Sequence, residues 1–222
     1  DAHTHCDRVG SEVLERARAS GVTGLIVAGV SPPGWRQQLA MSDPLCWHAL
    51  GLHPWTVAKM AATDVTEALA QLASHLEQHH RRIVGLGETG LDRSRHCPAE
   101  SLQRQILAFE AQIDLAIQHK LPLVLHVVRA HDMALDILRG RPPLTAGGMV
   151  HSFSGAAVHA SAYVKMGLHV SFSASITMPR ASRLHDAIRE VPDPRLLAET
   201  DSPDQTPYAR RPGRGVVCLV SV

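Results

Sequence analysis

The strongest constraint on this chain is an alternation. Short runs rich in Val, Ile and Leu are separated by longer stretches with helical apolar spacing. Strands are expected at Gly24–Gly29, Trp47–Leu52, Ile83–Gly87, Leu123–Val127, Gly148–His151, His169–Phe172 and Leu196–Glu199. Between them the spacing predicts helices over Ser11–Ser20, Thr63–His79, Ala99–His119, His131–Arg139, Ala156–Met166 and Arg180–Val191. The clearest is Ala99–His119, where Leu102, Ile106, Phe109, Ile113 and Ile117 recur every three or four residues and Leu121-Pro122 follows the end. Ser31–Ser42, with two prolines and a glycine, reads as a loop or a short helix. Asp1–His5 is expected to be the end of an eighth strand that starts before Asp1. Alternation of this kind means βαβ crossovers and a parallel sheet. Eight such strands fit a (β/α)8 TIM barrel; a doubly wound sheet is the alternative on pattern alone.

With 222 residues and no linker or repeat, one large domain is expected. The longest apolar run, Leu121–Val128, is broken by Pro122 and His126 and is far short of the ~20 residues of a membrane span. No leader is expected, and no membrane partner. A formal net charge of +1 argues against a broad electrostatic footprint on duplex DNA, so phosphate contacts should be local. Aromatics make up 4%, poor material for a base-stacking platform. Cys6, Cys46, Cys97 and Cys218 are isolated, which points to a reducing, cytoplasmic setting. Histidine is abundant instead, with 15 residues, and it is the commonest metal ligand.

The placement of those histidines is informative. His3 and His5 are two apart on an expected strand, so both imidazoles face the same side. Glu88 lies just past one expected strand, His126 and His151 end two others, and Asp201 follows the last. In a barrel all six gather at the carboxyl end of the strands, where such folds build their sites. Nitrogen and oxygen donors without sulfur suit two divalent cations such as Zn, Mn or Mg.

The segments Asp1-Ala-His-Thr-His5, Gly51-Leu-His-Pro54, Gly87-Glu-Thr-Gly-Leu-Asp92, Leu125-His126, Val150-His-Ser-Phe-Ser-Gly155 and Glu199-Thr-Asp-Ser-Pro203 occur in this order. Together, over about residues 1–207, they resemble the TatD family of metal-dependent hydrolases, within the amidohydrolase-like barrels. The run Ile176–Ser182 and Asp204 are closest in pattern to the bacterial TatD-like paralogues. The resemblance implies a binuclear centre: His3, His5 and Asp201 on one ion, His126 and His151 on the other, and Glu88 bridging both. In many relatives outside the family a carboxylated lysine bridges the metals. Here the only lysines are Lys59, Lys120 and Lys165, none near Glu88 in the chain. The implied activity is phosphodiester hydrolysis by metal-activated water, as a deoxyribonuclease or 3′→5′ exonuclease on DNA ends or a small phosphoester. Asp201 is then the candidate proton acceptor from the attacking water and Glu199 a brace. His53 is a candidate for phosphate binding or leaving-group protonation, with a purely bracing role equally open.

Other patterns weigh less. Gly85-Leu-Gly-Glu-Thr-Gly90 spells GxGxxG, but a dinucleotide site needs a helix to begin inside the motif, and Leu91–Pro98 delays it. The same glycines read as backbone room around Glu88. No GxSxG elbow surrounds Ser152 or Ser154. Relatives usually carry Arg where Val128 stands; Arg129 either replaces it or belongs to the following helix. Residues 208–222 depart from the family and read as an atypical tail. The barrel is therefore expected to be distorted, with its C-terminal covering helix missing and the chain truncated or altered near residue 208. That tail is expected to pack loosely over the gap or against another subunit, with a monomer as the default. Two further readings stay open: hydrolysis of C–N or carboxyl-ester bonds on the same metals, and a catalytically degenerate metal-binding barrel.

Overall fold

In the computed structural model, which describes residues 1–210, seven strands form one sheet in chain order, every neighbouring pair parallel. They are β1 Leu25–Ala28, β2 Cys46–Leu50, β3 Ile83–Asp92, β4 Leu123–Val128, β5 Gly148–Val150, β6 His169–Phe172 and β7 Leu196–Ala198. The helices are α1 Ser11–Ala19, α2 Pro32–Ala40, α3 Pro54–Lys59, α4 Ala62–Gln78, α5 Leu102–His119, α6 His131–Arg139, α7 Ala157–Lys165 and α8 Ser182–Arg189. The expected eighth strand is reduced to a single bridge, Thr4 to Val27. Its backbone still serves both neighbours. Thr4 N–H donates to the Ile26 carbonyl and Ala28 N–H to the Thr4 carbonyl, while Ala2 N–H donates to Ala198 and His5 N–H to Ser202. Residues 1–5 therefore close the ring between β1 and β7, and the fold is the expected α/β barrel rather than an open sheet.

Outside the ring, α4 and α5 and the outward faces of β2–β4 build most of the core: Leu72, Leu76, Leu86, Phe109, Ile113, Leu123 and Leu125 are all buried. Inside it, Ala49, Val124 and Met149 form a floor, with Ile26 and Leu197 packed against it. Strand β3 departs from simple alternation. Leu86 and Leu91, five apart, both belong to the outer core, which a strict period of two forbids. The register against β4 shifts between Leu86 and Thr89, and this irregularity turns Glu88 into the lumen. It also explains why β3 runs five residues past its expected end: Thr89–Asp92 pair anew with Leu125–Val128. Gly87 and Gly90 sit at positive φ where a side chain would collide with the Val124 and His126 carbonyls. The GxGxxG motif is thus strand, and the helix after it starts only at Leu102.

Two helices were ambiguous or invisible in the sequence. Ser31–Ser42 contains α2, with Pro32 and Pro33 in its first turn. Helix α3 was not expected, since six residues are too few to show periodicity; His53 caps it by accepting the Trp55 backbone N–H at Nδ1. The expected atypical tail lies mostly outside the described residues, and Tyr208 N–H at its start bonds to Thr177 Oγ1.

Burial pushes His48, on β2 beside the Arg82 guanidinium, down to about 4, and likewise His131, stacked on His159, to about 4. Both are neutral in the fold but take up a proton on unfolding between their folded value and about 6.5, so stability falls as pH drops through that window. His48→Gln is expected to flatten this fall, taking up about one proton fewer on unfolding near pH 5. Urea melts of metal-free protein at pH 7 and pH 5 check it.

Candidate metal centre

The lumen above the floor is built by parity. Val124 and His126 on β4 share a face, as do Met149 and His151 at β5, and Leu197 and Glu199 at β7. Apolar side chains thus fill the lower layer and polar ones the layer above. His3 and His5 arrive on the closing segment. Asp201, at positive φ just beyond β7, donates its backbone N–H to the His3 carbonyl. All six predicted ligands and His53 converge at the carboxyl end of the strands, and only His126 is more than slightly exposed.

Their donor atoms form two clusters sharing one carboxylate. In the first, His3 Nε2 and His5 Nε2 are 3.4 Å apart. Glu88 Oε2 lies 3.4 and 3.3 Å from them, and Asp201 Oδ1 lies 3.5 Å from each. In the second, Glu88 Oε1 is 2.7 Å from His151 Nε2, 3.0 Å from His126 Nδ1 and 3.1 Å from His53 Nε2. His126 Nδ1 and His151 Nε2 are themselves 3.1 Å apart. Imidazole nitrogens facing each other at such distances do not satisfy one another unless a proton or a cation stands between them.

Outer partners fix which nitrogen faces inward. His5 Nδ1 donates to the Ala28 carbonyl at 2.9 Å, and His151 Nδ1 to Glu199 Oε1 at 3.3 Å. His126 Nε2 donates to Asp92 Oδ2 at 3.0 Å. In each ring the other nitrogen is left for the centre, the arrangement common around metal-ligating histidines. Glu199 is held in turn by the Ser152 N–H, and so braces His151 as the sequence implied. His53 differs: Nδ1 accepts the Trp55 N–H, so its proton is on Nε2 and points at Glu88.

The electrostatics follow from this packing. Burial opposes charge on Glu88, yet His151, His53 and His3 around it hold its carboxyl well below the ordinary range. Burial likewise opposes charge on Asp201, and His3, His151 and His5 keep it ionised. On His5, His126 and His151 burial is outweighed by the carboxylates, and their pKa values rise. Burial dominates at His3, lowering it, and at His53, bringing it down to about 4. The lumen thus demands positive charge, which imidazolium protons provide when no cation does.

Divalent cations fit this donor set. Ligands held tetrahedrally at about 2.1 Å are separated by roughly 3.4 Å, close to the spacing of His3 and His5 from each other, from Glu88 Oε2 and from Asp201 Oδ1. Glu88 Oε2, though wholly buried, has no hydrogen-bond partner. Sequence reasoning did not assign Asp92, Trp55 or Gln205 to the site. Asp92 stands four residues after Glu88 in the quoted motif and faces the lumen only through the β3 irregularity. Trp55 follows His53-Pro54, and Gln205 Nε2 donates to Asp201 Oδ2 from a loop. Around the centre opens a cavity of ≈ 1260 Å³.

Comparison with known proteins agrees. Residues 1–220 match the family described as TatD related DNase. The chain belongs to the TatD family. It is 37% identical over 213 residues to the uncharacterized metal-dependent hydrolase YjjV of Escherichia coli K12, covering 92% of this chain and 79% of the relative. It is 33% identical over 205 residues to the 3′-5′ ssDNA/RNA exonuclease TatD of Pantoea vagans, covering 90% and 76%. The crystal structure of the E. coli YjjV protein superposes with a TM-score of 0.91 at 30% identity, over all of this chain and 85% of that one. As a TatD-family member the chain is a metal-dependent hydrolase.

Filling one site of the metal-free protein with Mn²⁺ or Zn²⁺ at about 100 times its dissociation constant is expected to stabilise it by about 2.7 kcal/mol. For a chain of this size the melting temperature then rises by about 5–10 °C. Glu88→Gln, which removes the shared anion, should abolish most of that rise in calorimetric melts with and without EDTA.

Proposed function

We propose that this TatD-family hydrolase cleaves phosphodiesters at a binuclear centre, as a 3′→5′ exonuclease on nucleic-acid ends or an enzyme for small phosphoesters. The observation that carries the reading is the placement of Glu88, one oxygen among His3 and His5 and the other among His53, His126 and His151. His3, His5 and Asp201 are assigned to one cation, His126 and His151 to the other, and Glu88 to both. Two divalent cations, when bound, supply Lewis acidity to a phosphoryl oxygen and acidify water at the site. The protein's own groups do the rest. Asp201, kept ionised by its imidazole neighbours and oriented by Gln205, is the acceptor for the proton of the attacking water. His53, neutral and with its Nε2–H turned inward, suits donation of a hydrogen bond to a phosphate oxygen better than delivery of a proton.

The cavity wall supports an anionic substrate. Lys59, Arg8, Arg95, Arg129, Arg180 and Arg183 all line it, although the whole chain carries a formal charge of only +1. Arg129 precedes α6, is exposed and takes positive φ, which places it on the wall beside Val128. It thereby stands in for the arginine expected at Val128. No helix of the described residues is long and apolar enough to cross a membrane. We place the enzyme in the cytoplasm, in line with the free Cys6, Cys46 and Cys97, and read it as a monomer.

Hydrolysis of bis(p-nitrophenyl) phosphate and release of nucleotides from 3′ ends tests the reading. Asp201→Asn is expected to lower kcat by about 10²- to 10⁴-fold. His53→Ala should raise KM more than it lowers kcat. Activity confined to cyclic amides or carboxyl esters would sink the phosphodiesterase reading.

A further inference from the structure

We propose that Trp55 is a positioning residue for the candidate ligand His126, acting through Asp92. The inference rests on the binuclear reading above. Trp55, in the first turn of α3, lines the cavity and is 39% exposed. Its indole Nε1–H donates to Asp92 Oδ2 at 2.6 Å, and the same oxygen accepts the His126 Nε2–H at 3.0 Å. The other oxygen of Asp92 accepts the Ser94 N–H at 2.6 Å, and the Asp92 N–H donates to Gln105 Oε1 at 2.9 Å. A carboxylate gripped on both oxygens and at its backbone has little freedom. It therefore dictates which edge of the His126 ring points outward.

That choice matters at the centre. With Nε2–H committed to Asp92, Nδ1 is the nitrogen left facing Glu88 Oε1 and His151 Nε2. A flipped ring would present carbon there. Burial does not require the Trp55 contact, since a partly exposed indole could bond to water, and a phenyl ring would fill the same place. What the indole adds is a short, charge-assisted donor that holds Asp92 still. Trp55 also orients a second imidazole, because its backbone N–H caps on His53 Nδ1 at 3.0 Å. The two arms are separable: replacing the side chain leaves the backbone arm intact and cuts only the one through Asp92.

The test is calorimetric titration of Mn²⁺ into the metal-free full chain, for wild type, Trp55→Phe, Asp92→Asn and His96→Ala. The His96 ring packs on the same indole with centroids 4.6 Å apart but forms no hydrogen bond, ion pair or ring contact with Asp92 or His126, so its loss controls for altered packing at the cavity mouth. Asp92→Asn is expected to weaken one of two binding events about 10- to 100-fold. Trp55→Phe should weaken the same event about 3- to 10-fold and leave the other unchanged, while His96→Ala titrates like wild type. Circular dichroism in EDTA confirms folding, and Trp55→Tyr repeats the comparison should the Phe variant not fold. The proposal is overturned if Trp55→Phe binds like wild type, if both events weaken equally, or if His96→Ala weakens binding as much as Trp55→Phe. A wild-type chain that takes up no ion instead overturns the binuclear reading itself.

Discussion

Glu88 carries its charge in a lumen where only 2% of the residue reaches solvent, and a carboxylate so placed is costly unless positive charge surrounds it. The compensation comes from the closing segment and from residues on or just after β2, β4 and β5. None of it is local in the chain: His3 and His5 are more than eighty residues away, and His151 more than sixty. The charge on Glu88 is therefore tolerable only in the closed ring. Closure in turn depends on residues 1–5, whose backbone bonds to both β1 and the chain beyond β7. The same five residues that complete the barrel deliver two imidazoles to its centre, so folding and assembly of the site are one event.

Much of this was legible because strand parity is simple. A histidine two residues beyond an apolar lumen residue, as in Val124/His126 and Met149/His151, announces a polar layer over an apolar floor. The helices read well where the apolar period ran long, as in α5, and failed where it was short, as in α3. The structure brings Glu88 into the lumen beside the histidines for a reason the pattern could not supply. The short apolar run gave a strand over Ile83–Gly87, whereas β3 continues to Asp92 and changes register, which is a property of its pairing with β4 rather than of its own residues. Asp92 was lost with that extension. Trp55 and Gln205 were lost because their roles depend on loop geometry, and nothing periodic marks a donor that acts through a neighbour.

Net charge misleads in a similar way. A balance near zero argued for local rather than broad phosphate contact, and the cationic side chains are indeed unevenly distributed. Cationic side chains from loops and from α3 and α8 line one cavity, where, among the described residues, only Arg8 of these pairs with a carboxylate, Asp204, while acidic residues such as Asp114, Asp136 and Asp186 pair with arginines elsewhere on the surface. The field at the mouth is set by that sorting, not by the sum over the chain.

The two halves of the centre are organised to different degrees. In the first, His5 is anchored on a main-chain carbonyl, and His3 and His5 already stand 3.3–3.5 Å from each other and from the two carboxylate oxygens, close to ligand spacings in a tetrahedral shell. In the second, the atoms are 2.7–3.1 Å apart, drawn together by hydrogen bonds to Glu88 Oε1. Their outer anchors are side chains, Asp92 and Glu199, which can move where a strand backbone cannot. Admitting a cation to the second half means replacing those protons and letting the rings separate by a few tenths of an ångström. The stiffness of the outer carboxylates decides how far the rings separate without turning, and Asp92 is the stiffer of the two. Both of its oxygens are bonded, whereas Glu199 leaves Oε2 without a partner.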